Sequence, residues 1–319
     1  MDPLTSGSLD LIRALQSPGG WLIVPMQFFS FLGTEEFYML ILPLVFWCIN
    51  RALGIELVTL LLASTGLNEL AKGLLKLPRP FWIEPKLALS TETSFGLPSG
   101  HAQNAVVLWG YLATVLRNPW RWLCVLMIFL ISLSRLYLGV HFPGDVLAGW
   151  ALGLLVLGGF LWLKPRLTPR LSAWSLGKHF LAAVLVSAAI LVLYLVAAAV
   201  PTGELARFGD IFNVAHAQVV DAAGSIAGMI LGAWIGLAVE ERRVRFSTAG
   251  TFWQRALRLI IGLLILVALR FGLKAIFPED TLALGLAFRM LRYALMMLWV
   301  ALAWPWLFVR LGLAQRESS

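Results

Sequence analysis

The sequence predicts an all-α fold, a polytopic transmembrane helical bundle of about nine spans. Three observations carry that expectation. Of 319 residues, 60% are hydrophobic and only 13% charged, about half the charge of a soluble domain, and mean hydropathy is +0.83. The apolar residues gather into runs near the roughly twenty residues that cross a bilayer as a helix. Lysine and arginine collect in the short connections between those runs, as orientation in a membrane requires. A net charge of +8 and a pI of about 9.9 would point to nucleic acid in a soluble chain. Here anchoring among membrane lipids explains the basic residues, and no nucleic-acid partner is expected.

The elements follow in order. Residues 1–20 are polar, end in Pro18, Gly19 and Gly20, and are expected at the membrane surface. They lack a basic start followed by an apolar core, so no cleavable signal peptide is expected. Residues 21–32 are apolar but too short to span, and read as interfacial or re-entrant; with them, 1–35 forms an N-terminal interfacial segment. Spans are expected at 36–50, 54–76, 101–117, 121–139, 143–163, 180–200, 222–239, 255–277 and 283–312. With the N-terminus outside, inner loops hold Arg51, Arg117, Arg121, Lys164, Arg166, Arg170, Lys178, Arg242, Arg243 and Arg245. The outer connection 201–221 has only Arg207, beside Glu204, Asp210 and Asp221. The loop 77–100 and the turn around His141 then share the outer side.

Cys48 and Cys124 lie in apolar runs and read as small buried hydrophobes. In the seventh span Gly224, Gly228, Gly232 and Gly236 recur on one helix face, where backbones can approach closely. That face suits packing inside the chain or, as the second reading, the seam of a homodimer.

Three polar clusters interrupt the hydrocarbon. The first is Lys72 with Arg79 and Pro80; the second is Pro98, Ser99, Gly100 and His101, opening a span. The third, residues 134–145, reads SRLYLGVHFPGD and holds Arg135, His141 and Asp145, ionisable groups that are expensive in a membrane and therefore point to function. Pro143 and Gly144 argue against one continuous helix there. A helix ending near Arg135, a short turn and a new helix starting near Pro143 is expected. Together the clusters supply three cations and two histidines, with no set of carboxylates and histidines at metal-ligand spacing. Such a set suits a phosphoryl group. Arginine forks match two phosphate oxygens and lysine adds a point charge, while Ser99 and Gly100 precede a helix whose free N–H groups attract anions. Two histidines can divide nucleophile and acid roles.

The order and spacing of these residues resemble the three-part signature of the type 2 phosphatidic acid phosphatase superfamily. That superfamily includes lipid phosphate phosphatases, undecaprenyl diphosphate phosphatases, glucose-6-phosphatases and vanadium haloperoxidases. All three parts stand in order with no departure at the motif positions. The resemblance covers about residues 36–200, and implies a six-span membrane phosphatase core there, followed by a three-span transmembrane extension at 201–319 that it does not reach. It implies His141 as the nucleophile that becomes a phosphohistidine, Asp145 as the group orienting it, and His101 as acid and then base. Lys72, Arg79, Ser99, Gly100 and Arg135 would bind phosphate, with no metal and no cofactor.

The expected activity is removal of a terminal phosphate from a lipid phosphate or diphosphate at the outer (periplasmic) side. Alternatives are a phosphatase of a soluble ester such as a sugar phosphate, a phosphotransferase, or a non-catalytic transporter or scaffold. Among neighbouring residues, Glu69 is expected to pair with Lys72, Lys76 and Lys86 to be solvated, Trp82 to sit at the interface and His216 to lie on the surface of an outer loop. Arg270, Lys274, Arg289 and Arg292 run against the charge bias; they either snorkel or pair with Glu279 and Asp280, or form a second basic site.

Overall fold

A computed structural model describes residues 3–278 and 281–317. Among the described residues thirteen α-helices follow one another: α1 (Pro3–Gln16), α2 (Ile23–Phe31), α3 (Glu35–Leu44), α4 (Arg51–Leu75), α5 (Pro80–Ile83), α6 (Gly100–Val115), α7 (Trp120–Tyr137), α8 (Pro143–Ser172), α9 (Leu176–Ala199), α10 (Asp210–Arg243), α11 (Phe252–Ile276), α12 (Leu282–Leu298) and α13 (Trp304–Arg310). Among the described residues the only β-pairing is an isolated bridge between Phe246 and Arg316. The all-helical expectation holds.

Every expected span is helical, but fewer than nine cross by length. Seven segments are long and apolar enough, or up to eight if the bent pair Gly20–Phe31 and Glu35–Ile49 counts as one span. The expected span at 101–117 is the 16-residue α6, short of a full crossing. The span at 36–50 belongs to that bent pair, whose two arms meet at 50°. Leu154, Leu155, Leu185, Leu193, Leu264 and Phe271 remain exposed, the outward apolar surface that hydrocarbon would cover.

Contacts divide the chain into two compact units. The first comprises 1–38, 63–164 and 196–219. In it α7 packs against α6, α2 and α1, and the amphipathic α1 buries Leu9 and Ile12 against Leu87. Gln16 donates to the carbonyls of Leu87 and Tyr137 at 3.0 and 2.8 Å, so α1 ties the 84–99 connection to the end of α7. The turn after α7 needs a glycine. Gly139 has φ +69°, and an added Cβ would fall 2.0 Å from the carbonyl oxygen of Leu87.

The second unit comprises 39–62, 165–195 and 220–319. Its core gathers Phe46, Trp47, Phe246, Leu266, Trp304 and Phe308. The glycine face of α10 packs on α12 of the same chain: added Cβ atoms at Gly228 and Gly232 would sit 2.2 Å from the carbonyls of Met290 and Ala294. Gly224 and Gly236 approach Leu286 and Ala301 likewise. This is the packing inside the chain expected as the first reading of Gly224, Gly228, Gly232 and Gly236. Of the four cations that run against the charge bias, Arg289 pairs with Asp221 at 2.9 Å, and Arg270 contacts the Met39 sulfur at 3.6 Å. Glu279 and Asp280 lie outside the described residues.

Candidate active site

The candidate site lies wholly in the first unit. α4 carries Ser64, Asn68, Lys72 and, just past its end, Lys76 at four-residue spacing, a polar stripe along one face. Ser64 and Asn68 bind the side chains of Asn104 and Gln103 on α6 at 2.6 and 2.7 Å, and Asn68 also donates to the carbonyl of Pro98 at 3.3 Å. This buried network, which sequence reasoning passed over, fixes the start of α6 where Ser99, Gly100 and His101 stand.

Lys72 binds Glu69 at 2.8 Å, as expected, and Ser94 Oγ at 3.1 Å. Lys76 departs from expectation. It is buried and donates to the carbonyls of Ala198 and Val200 at 2.8 and 2.6 Å, satisfying acceptors left open at the end of α9.

Arg79 precedes Pro80, which occupies the first turn of α5 in the position proline favours. Its guanidinium donates to the Ser94 carbonyl at 2.6 Å, to Ser94 Oγ at 2.8 Å and to the Val140 carbonyl at 2.8 Å. It also lies 3.0 Å from His141 Nε2. Arg135, on the last turn of α7, binds Ser30 Oγ from α2 and the carboxylate of Glu92; Glu92 is 3.6 Å from Arg79 as well.

His141 falls in the turn between α7 and α8, the break that Pro143 and Gly144 foreshadow. Its Nδ1 is 3.2 Å from Asp145 Oδ2, which also accepts from the Phe142 amide at 2.9 Å. An acceptor on Nδ1 assigns the ring proton there and leaves the Nε2 lone pair toward Arg79. Burial, then the charges of Arg79, Arg135 and Lys72, holds the imidazole well below its ordinary pKa, so the ring is neutral at neutral pH.

Ser99 is the N-cap of α6 without a side-chain capping bond; its amide donates to the Asp145 carbonyl at 2.9 Å. Three buried polar atoms have no hydrogen-bond partner among the described residues and belong to this cluster: Ser99 Oγ, His101 Nε2 and Arg135 Nε. Buried polar groups are rarely left so, and donors concentrated in one cationic pocket fit a polar anion. An added Cβ on Gly100 would lie 3.8 Å from Lys72 Nζ and 3.0 Å from Asn68 Oδ1, which places the Gly100 backbone beside the lysine. Thus Lys72, Arg79, Ser99, Gly100, His101, Arg135, His141 and Asp145 come together. Among the described residues no three of His, Cys, Asp and Glu are grouped to hold a metal ion.

Ser30, Glu92 and Ser94 join the site unannounced by any motif; the one signal was an acid and hydroxyls in the loop between two cationic clusters. Residues 196–219 close over that loop. Gln218 donates to Thr93 Oγ1 at 2.6 Å, and Phe208 and Phe212 meet Trp82 and Phe95 at 5.4 and 6.0 Å. Trp82 is therefore a buried packing residue, not an interfacial one. His216 sits within α10, half-buried and 5.9 Å from the ring of Phe212, rather than on a loop surface.

A helical membrane scaffold with a cluster of cations around two histidines defines a class, and sequence comparison gives its family. Residues 53–169 match the PAP2 superfamily, and residues 224–316 match the transmembrane extension of PAP2 superfamily phosphatases. The chain belongs to the PAP2 superfamily, and its last three spans, which the motif resemblance did not reach, are part of that relationship.

Among named relatives, it is 38% identical over 108 residues to undecaprenyl-diphosphatase of Sulfolobus acidocaldarius, covering 33% of this chain and 52% of that one. It is 30% identical over 175 residues to lipid phosphate phosphatase delta of Arabidopsis thaliana, covering 49% and 42%. To human sphingosine-1-phosphate phosphatase 2 it is 31% identical over 141 residues, covering 41% and 35%. The chain thus spans about half or less of these relatives' lengths. A solved structure, the first transmembrane PAP2 type phosphatidylglycerolphosphate phosphatase from Bacillus subtilis, aligns with a TM-score of 0.45 at 25% identity, covering 52% of this chain and 88% of that one.

Proposed function

We propose that the protein is a metal-independent membrane phosphatase that hydrolyses the terminal phosphate of a lipid phosphate or diphosphate through a phosphohistidine, at the outer face of the membrane. The observation that carries this is His141, oriented by Asp145 at Nδ1 and presenting Nε2 to a cradle of Arg79, Arg135 and Lys72. On this reading Nε2 forms a bond to phosphorus as the bond to the leaving oxygen breaks. His101 gives that oxygen its proton, then takes one from the water that cleaves the N–P bond. Lys72, Arg79, Arg135, Ser99 and the Gly100 amide hold the non-bridging oxygens while charge builds on them; the cations supply what a metal would otherwise supply. The exposed apolar surface and the lipid-phosphate names of the relatives support a lipid substrate. Residues 36–200 would form the catalytic core and 201–319 the extension. The basic inner loops support the outer location of the site.

The test is phosphate release by the purified chain from phosphatidate, phosphatidylglycerophosphate, undecaprenyl diphosphate, a sphingoid phosphate and glucose 6-phosphate, with EDTA present. Release from at least one lipid is expected to survive EDTA, to yield to vanadate and to vanish in His141→Ala. Chelator-sensitive turnover, or turnover that persists in His141→Ala, would overturn the mechanism.

A further inference from the structure

The cradle already holds an anion. Glu92, in the 84–99 connection, pairs with Arg135 and stands 3.6 Å from Arg79, yet none of the catalytic roles above needs it. The two arginines are almost fully buried at 1% exposure, whereas the Glu92 side chain keeps 22%. The carboxylate therefore reaches in from the solvent edge. Burial alone would raise its pKa, but Arg135, Arg79, His101 and Lys72 bring it down to about 2, so it is ionised at neutral pH. Its backbone neighbours are tied: Thr93 to Gln218, and Ser94 to Lys72 and Arg79. The residues that follow Glu92 are thus held in place, and its displacement is expected as a rotation of its own side chain.

A carboxylate spanning two guanidinium groups makes the contacts that two phosphate oxygens would make. Resting on the phosphatase reading above, we propose that Glu92 is a built-in competitor for the phosphate seat, an autoinhibitory contact that every phosphoryl substrate must displace. Any phosphoryl anion must expel the carboxylate before it can bind the two arginines, at the same cost in each case. Apparent affinity for every anion is reduced by the fraction of molecules whose cradle is open.

The experiment uses the full chain in detergent, with orthophosphate, vanadate and the monoanionic diester diphenyl phosphate as competitive inhibitors of lipid phosphate hydrolysis. Glu92→Gln is expected to tighten inhibition by all three by a common factor of about tenfold. A side chain that merely held the arginines in place would give the opposite sign, weaker binding on its removal. Should Glu92→Gln fail to fold, Glu92→Asp, which withdraws the charge by one methylene, is expected to tighten inhibition by a smaller factor. Unchanged or weakened inhibition in the folded variant, with His141-dependent turnover intact, overturns the proposal and leaves the phosphatase reading standing. A wild-type chain that neither binds vanadate nor releases phosphate removes both.

Discussion

Each unit buries arginines, and the two treat them differently. In the second unit Arg258 is fully buried and saturated. Its guanidinium donates to the carbonyls of Leu313, Trp47, Thr248 and Ala249 at 2.9, 3.1, 3.2 and 2.5 Å, with its face toward Phe308. Arg51 there binds both Glu240 and Glu241 at 2.5 Å. In the first unit Arg79 is bound by Ser94 and Val140 and faces Glu92, but Arg135, which shares that carboxylate, keeps an unpartnered Nε, and Ser99 Oγ and His101 Nε2 nearby also lack partners. A buried cation whose donors are consumed by the fold is a clasp. Arg135 is buried with a donor left open, as its proposed role in binding phosphate requires, and the fold carries the cost of leaving it so.

That contrast can be broken by substitution. Arg135→Lys keeps the charge but loses the planar fork, and is expected to lower kcat/KM by about a hundredfold or more with little change in melting temperature. Arg258→Met is expected to do the reverse. Leaving several buried carbonyls without donors should destabilise by about 3 kcal/mol, while the folded fraction keeps its specific activity. Thermal melts beside steady-state kinetics would separate the two, and loss of activity without loss of stability in Arg258→Met would end the distinction.

A smaller effect is expected at the α10–α12 contact. Gly228→Ala would force the helices apart at a Cβ position 2.2 Å from the Met290 carbonyl, at a cost of about 1–3 kcal/mol. A melt combined with a sizing measurement checks it: stability should fall and oligomeric state should not change. The smallest effect concerns pH. Because burial and the surrounding cations hold the His141 imidazole low, it loses its nucleophilic form only well below the ordinary histidine value of about 6.5. The acid limb of kcat/KM assigned to this group should lie below that pH, and should move upward in Arg79→Gln, where one of the opposing charges is gone.

Much of the site was legible because its chemistry is written in residue types that a membrane segment otherwise excludes. Lys72, Arg79, His101, Arg135, His141 and Asp145 stand out against hydrocarbon, and Pro143 marks the break that frees His141 from a helix. Glu92, Ser94 and Ser30 were not legible, since acids and hydroxyls in connections are ordinary and only their approach to buried arginines gives them meaning. Lys76 illustrates the same limit: the sequence shows a lysine near a helix end, but its acceptors at Ala198 and Val200 are more than 120 residues away.

Composition and hydropathy suffice for the all-helical membrane class, because a bilayer admits so few backbone solutions. Motif order suffices for the family, because several cations and two histidines in that order and spacing are rare among apolar runs. Packing had to settle the rest. The glycine face of α10 is equally compatible with an intrachain neighbour or a second copy until α12 is seen against it. Helix length set α6 apart from a full span, and the carboxylate beside the two buried arginines emerged only when the 84–99 connection was folded back onto Arg79 and Arg135. Local patterns record what each segment can tolerate; which distant partner it meets depends on contacts that no local pattern encodes.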